Sequence, residues 1–207
     1  MDIIKLYGTG FASNTYLLIS GGEAAVVDPS AHIEEIMKAA GEARIRYVLL
    51  THGHFDHILS LDELCARTGA EVLIHEGDIG FPKDFELNAS AVFGLNIASS
   101  VQMTGLAGGE RIPLGQEEIA VISLPGHTPG SVCYDCGEVL ICGDTLFPQG
   151  YGRYDLPCGN AQRLYASLKV LADIGVEKLV HPGHGASFDL SSAVIIRAIR
   201  NNNFSLI

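Results

Sequence analysis

At 207 residues with 47% apolar side chains, the chain is long enough to bury one substantial core or two closely packed halves. Its 24 acidic against 13 basic residues give a formal charge of −11 with no run of Lys or Arg, which argues against a nucleic-acid partner; no apolar stretch approaches the ~20 residues of a membrane span. Five cysteines, an odd number, and an N-terminus without a basic and then apolar leader make a disulfide framework and a signal peptide unexpected, so a cytoplasmic location is the expectation.

In chain order, "DIIKLY" and "TYLLIS" read as strands, followed by a Gly21-Gly22 turn and a third strand, "AAVVDP", ending at Pro29. Ile33, Ile36, Met37 and Ala40 recur at helical spacing, with Ser30 as the expected N-cap. "RYVLL" is a wholly apolar run, as in a strand buried on both faces. "ILSLDELCART" reads as a helix that stops at Gly69, and "AEVLIH" as a strand. Residues 76–100 carry Gly, Pro, Asn and aromatics without periodicity, an irregular excursion of the kind that borders sites. Strands return in "ERIPL", "EEIAVISL", "GSVCYDC" and "EVLICGD"; Leu164, Leu168 and Leu171 mark a helix, "EKLVHP" a strand and "DLSSAVIIRAIR" a final helix. Strand runs followed by helices in both halves predict an α/β (α+β) sandwich of two packed sheets with helices outside.

The chemistry is concentrated in "THGHFDH", Thr51 to His57, directly after the apolar strand. His52 and His54, two apart, point to the same side of extended chain and can grip one cation, whereas the adjacent Asp56 and His57 diverge toward a second. His127 in "LPGHTPGS", Asp144 in "LICGDTLF" and His184 in "HPGHGAS" follow later strands, each beside a glycine. Five imidazoles and two carboxylates are too many for one tetrahedral ion and suit two, of the kind Zn²⁺, Fe or Mn supplies. His32, His75 and His181 fall outside this pattern and read as solvated or structural. Cys133 and Cys136 form a C-x-x-C, but on an expected hairpin turning at Gly137, with no second pair, so the reading is structural.

"THGHFDH" with "PGHTPGS", "GDTLF" and "PGHG" resembles the metallo-β-lactamase-fold hydrolases, over essentially the whole chain from "VVDP" to "NNNF". The resemblance implies a four-layer αββα sandwich, here a single domain over residues 1–207 in two halves of approximately 1–115 and 116–207. It implies one metal on His52, His54 and His127, a second on Asp56, His57 and His184, and Asp144 bridging them. Asp28 in "VVDP" matches a position that supports the ligands by hydrogen bonding. Two divalent ions per chain are expected, zinc first, with iron or manganese as alternatives.

"GDTLF", "GYGRYDLP" and "PGHG" together most resemble the glyoxalase II branch, the hydroxyacylglutathione hydrolases. That implies hydrolysis of a small-molecule thioester such as S-lactoylglutathione by a hydroxide between the metals, with Asp56 and Asp144 as the catalytic carboxylates. Arg153 in "GRYD" is read either as holding a substrate carboxylate through a bidentate contact or as a structural ion pair, and Tyr154, in place of an expected Thr, either as lining the pocket or as packing. The longer members add a C-terminal helical segment that grips glutathione; this chain ends soon after "PGHG", like the short-form relatives. The competing expectations are a persulfide dioxygenase with one iron on His52, His127 and Asp144, a lactonase or esterase, and a metal-binding module without catalysis. No nucleic-acid or membrane partner is expected, and oligomeric state is left open.

Overall fold

The computed structural model describes residues 1–174 and 178–203. The first sheet comprises β1 (Asp2–Leu6), β2 (Thr15–Ser20), β3 (Glu23–Val27), β4 (Arg44–Leu49), β5 (Glu71–His75) and β6 (Met103–Leu106), hydrogen-bonded in that order. β1, β2 and β3 are antiparallel neighbours, and β3 to β6 run parallel. The second sheet holds β7 (Arg111–Leu114), β8 (Glu117–Ser123), β9 (Val132–Asp135), β10 (Val139–Gly143), β13 (Leu179–Pro182) and β14 (Phe188–Asp189), in the order β14-β13-β10-β9-β8-β7. A two-stranded ribbon, β11 (Leu146–Phe147) with β12 (Gly150–Tyr151), lies between β10 and the third helix in sequence. The helices are α1 (Ile33–Ala40), α2 (Leu61–Thr68), α3 (Ala161–Asp173) and α4 (Val194–Arg200).

Period-two alternation sorts each strand's side chains between two cores. Tyr16 and Leu18 of β2 face the second sheet and pack with Ile119, Val121, Tyr134 and Ile141. Leu17 between them faces the other way, into a cluster with Ile36 of α1 and Leu61 and Leu64 of α2. Cys133, Leu140, Cys142 and Val180 form the corresponding outer layer beneath Leu164, Leu168 and Leu171 of α3 and Ile196 of α4. Helices, sheet, sheet, helices: the αββα sandwich expected from the sequence is the fold. β4, with Val48 and Leu49 feeding opposite cores, is buried on both faces as its apolar run predicts.

Several local expectations change. Ser30 does not cap α1: its hydroxyl donates to the Asp56 carbonyl, and His32 takes the cap, its Nδ1 accepting from Glu34 N at 3.4 Å. β6 was not anticipated, because "MTGL" has neither alternation nor β-branched density; it is recruited as an edge by β5. The changeover between sheets falls between Leu106 and Arg111. Glu177, in the predicted "EKLVHP" strand, and Phe204 of "NNNF" lie outside the described residues. The C-x-x-C splits across the hairpin: Cys133 enters the outer core opposite Cys142, while Cys136 packs against the central one. Gly137, at φ +86°, makes the turn.

Candidate metal centre

The coordinating residues all follow strand C-termini. β8, β10 and β13 point the same way in the second sheet, since β9 is antiparallel to both β8 and β10 while β10 and β13 are parallel. Their ends deliver His127, Asp144 and His184 to one rim. β4 of the first sheet delivers Thr51 to His57 to the facing rim, where Phe55–His57 turns as a single 3₁₀ segment.

All seven predicted residues converge, in two sets. His52 Nε2 and His127 Nε2 lie 3.1 and 3.0 Å from His54 Nδ1. Asp56, His57, Asp144 and His184 form the other set: His184 Nε2 is 3.0 Å from Asp56 Oδ2, and His57 Nε2 is 3.5 Å from Asp144 Oδ1. Asp144 stands between the sets, its Oδ2 3.9 Å from His127 Nε2 and 3.6 Å from His184 Nε2.

Hydrogen bonds to the far ring nitrogens fix which lone pairs face inward. A carbonyl only accepts, so His127 Nδ1–H donates to Arg153 O (2.7 Å) and its Nε2 carries a lone pair. His57 Nδ1 lies 2.8 Å from the Asp28 carboxylate and donates to it, and its buried Nε2 finds no hydrogen-bond partner among the described residues. Thr51 gives its one hydroxyl proton to Asp28 Oδ2 (2.7 Å), so the hydroxyl accepts from His52 Nδ1–H at 3.1 Å, leaving His52 Nε2 as an acceptor. Two acceptor nitrogens, His52 Nε2 and His127 Nε2, gathered in one set, and a buried Asp144 Oδ1 without a hydrogen-bond partner among the described residues, form an arrangement a cation would satisfy. The donor set of imidazole and carboxylate, without thiolate, fits a divalent metal.

Electrostatics divide the two sets. Burial, reinforced by the neighbouring His127, pushes His54 down to about 3, and burial with the charges of His57 and His127 pushes His52 well down too. Both are neutral at ordinary pH, the form in which an imidazole can bind a cation. For His57 burial acts in the same downward direction, but the carboxylates of Asp28, Asp56 and Asp144 outweigh it and raise its pKa well above the usual value. Asp144 is opposite in sign: burial would raise it, and His57 above all holds it down.

Asp28, expected as support, accepts from Thr51 N, Thr51 Oγ1 and His57 Nδ1, and does so from the left-handed region at φ +51°. A non-glycine residue there is held by its surroundings against a local cost. Sequence reading missed an equivalent residue for the other set. Asp78, fully buried, accepts from Gly53 N (2.9 Å), Thr128 Oγ1 (2.6 Å) and Gly130 N (2.6 Å), tying the His52–His54 segment to the His127 loop. Nothing in "HEGDIG" marks it, because its three donors come from other segments.

A cavity of about 260 Å³ opens over the cluster, with His54, Asp56, His127 and Asp144 at its wall. Arg153 lines it, but its guanidinium is engaged by Asp155 at 2.9 and 3.0 Å. Tyr154 is outside the lining; its ring stacks on Tyr151, which does line it. His75 contacts the Ala107 carbonyl at 3.2 Å, and His181 stacks on Tyr16, so neither joins the centre.

The sequence pattern described as the Metallo-beta-lactamase superfamily matches residues 8–185. The chain belongs to that superfamily. Among its relatives, a hydroxyacylglutathione hydrolase of Acidiphilium cryptum is 37% identical over 195 residues, covering 92% of this chain and 71% of that protein. Among solved structures, the BLEG-1 B3 metallo-beta-lactamase superposes with a TM-score of 0.85 at 28% identity, covering 92% of this chain and 95% of that one. TTHA1623 in a di-iron-bound form gives 0.82 at 31%, covering 91% and 96%. Membership in this superfamily, with the donor set intact, identifies a metal-binding hydrolase fold. Among the described residues no helix is long and apolar enough to cross a membrane.

Proposed function

We propose that the protein is a binuclear metallohydrolase acting on thioesters. His52, His54 and His127 would hold one cation, Asp56, His57 and His184 the second, with Asp144 shared. The observation that carries this reading is the convergence of both sets around one carboxylate, with His57 Nε2 and Asp144 Oδ1 buried and, among the described residues, without hydrogen-bond partners. When bound, such ions polarise an acyl carbonyl and bring a water's pKa toward about 7. Zinc is the proposed metal, as the ion that accepts this mixture of imidazole and carboxylate without redox chemistry.

The chain's own residues supply the rest. Asp28 fixes the His57 ring, and Thr51 fixes that of His52, so the inward nitrogens need no reorganisation. Asp56 lines the cavity and is held ionised; burial opposes this, but His57 and His184 prevail. From that wall it would steer the attacking water or take its proton, a secondary role beside holding the cation. A departing thiol, with a pKa near ~8.5, leaves as its anion without a strong acid. This suits a wall on which, among the described residues, no carboxyl group outside the two sets is found. The hydroxyacylglutathione hydrolase relative supports the same reading.

The competing reading, a persulfide dioxygenase with one iron on His52, His127 and Asp144, draws on the same residues, and metal content separates the two. The test is metal content measured together with S-lactoylglutathione and model thioester hydrolysis on one preparation. Two ions per chain with turnover, both lost in His54→Ala and Asp144→Ala, is the expected result. One iron per chain, or full activity in either variant, refutes it.

A further inference from the structure

Above the coordinating groups the cavity has an aromatic wall. Phe11, Phe55 and Phe93 meet with ring centroids 5.9 Å (Phe11–Phe55), 5.5 Å (Phe11–Phe93) and 5.5 Å (Phe55–Phe93) apart. They arrive from three places: the loop after β1, the 3₁₀ turn between the ligands His54 and Asp56, and the irregular segment after β5. Phe55 is buried, while Phe11 and Phe93 remain 55% and 43% exposed. A single exposed ring is ordinary. Two exposed rings joined to a third and bordering a polar cluster form a contact surface for an apolar group on whatever enters.

Charge recognition, by contrast, is already satisfied. Arg153 is the one basic side chain other than histidine among the described lining residues, and Asp155 holds it through two contacts. A leaving group bearing carboxylates, as a peptide thiol does, would have to compete with Asp155 for that guanidinium, on a chain of formal charge −11.

Building on the thioester reading, we infer that Phe11, Phe55 and Phe93 set the specificity of this site. The preferred substrate is a thioester with an aromatic or alkyl arm and no carboxylate on its thiol. In the reaction water adds to the acyl carbon, the C–S bond breaks, and a carboxylic acid and a thiol are formed. The rings recognise the arm by burying it, whether it is carried by the acyl group or by the thiol.

The experiment uses the full zinc-loaded chain and four substrates: S-lactoylglutathione, the acetyl and phenylacetyl thioesters of mercaptoethanol, and the acetyl thioester of benzyl mercaptan. One of the two arylated substrates should exceed both others in kcat/KM by about tenfold. Which one does so tells where the arm sits. Phe11→Ala and Phe93→Ala, both at exposed positions, should shrink that preference about fivefold through KM. A calorimetric comparison of 3-phenylpropionate with propionate provides a readout independent of turnover. The arylated acid should bind about tenfold tighter, with the advantage lost in Phe93→Ala. Preference for S-lactoylglutathione, or an aryl preference unmoved by both variants, overturns the inference. If no thioester is hydrolysed, the thioester reading falls, and the calorimetry alone decides the role of the wall: equal affinities refute it, and an advantage lost in Phe93→Ala sustains it.

Discussion

Glycine 183 shows how little space the centre leaves. A methyl group at this position would overlap Asp144 Oδ1 and press on the His57 ring. The "PGHG" glycine is therefore there to let the His184 loop pass against the shared carboxylate, in an otherwise permissible backbone. If Asp144 acts as proposed, Gly183→Ala should leave the far-UV spectrum unchanged while lowering kcat/KM by roughly 100-fold or more, since a displacement of about 1 Å at a reacting centre costs that much. Wild-type turnover and two ions per chain in this variant would show that the overlap is relieved elsewhere. Gly143 has a related role beside Asp144: it sits at φ +47°, and a side chain there would collide with Thr51. At this scale the sequence was informative about donors. His52 and His54 were legible as a pair from their spacing in "THGHFDH", although they meet in a bend beyond the end of β4 rather than on a strand. It was silent about Asp78, whose donors Gly53, Thr128 and Gly130 lie in segments that only the fold brings together.

Among the elements, the decisive ones are loops at strand ends rather than the strands themselves. Asp78 joins two such loops. Asp78→Ala would leave two buried backbone N–H groups and one hydroxyl without their acceptor, a loss of about 3 kcal/mol in urea unfolding. Metal competition should show the ion on His52, His54 and His127 held about tenfold more weakly, with the other ion less affected. A stability change below about 0.5 kcal/mol would mean that water replaces the carboxylate. The His184 loop has a separate set of anchors: Asn14 Nδ2 donates to the Pro182 and Gly185 carbonyls, Tyr16 OH to Pro182 O, and Lys5 Nζ to Gly185 O. Strong periodicity made α1, α3 and the apolar β4 legible. The α1 cap was misread because Ser30 found a better partner in the Asp56 carbonyl, a contact 26 residues away in sequence. β6 escaped because an edge strand with a central Gly draws its order from β5 rather than from its own composition.

For the whole molecule, the division of charge would make ions bound in the two sets unequal toward acid. His54, held at about 3 by burial and His127, lies below the usual unfolded value of about 6.5. Between those values the unfolded chain binds the extra proton, so this group's contribution to stability is present above about 6.5 and lost as pH falls toward about 3. His57 has the opposite sign. Its raised pKa contributes stability that is full below the unfolded value and is lost as pH rises through the folded one. A metal must displace that proton from His57 but none from His54. Stepwise dialysis from roughly pH 8 to roughly pH 4 should therefore remove the ion of the Asp56, His57 and His184 set first, leaving one ion per chain at intermediate pH. Loss of both ions together, or of the His52, His54 and His127 ion first, would contradict this assignment.

By itself the sequence determined the chemistry and the layers: which donors exist, that imidazole and carboxylate select a divalent metal, and that strands followed by helices in both halves form a sandwich. These are readable because donor type is a property of the residue, and strand or helix periodicity a property of its near neighbours. Only the tertiary structure decided that β4 and the strands of the second sheet end at facing rims, that Arg153 is taken by Asp155, and that three phenyl rings gather beside the histidine and aspartate cluster. Those outcomes depend on which distant faces are buried together. That choice is made by the packing of two complete sheets, and no short stretch of chain contains it.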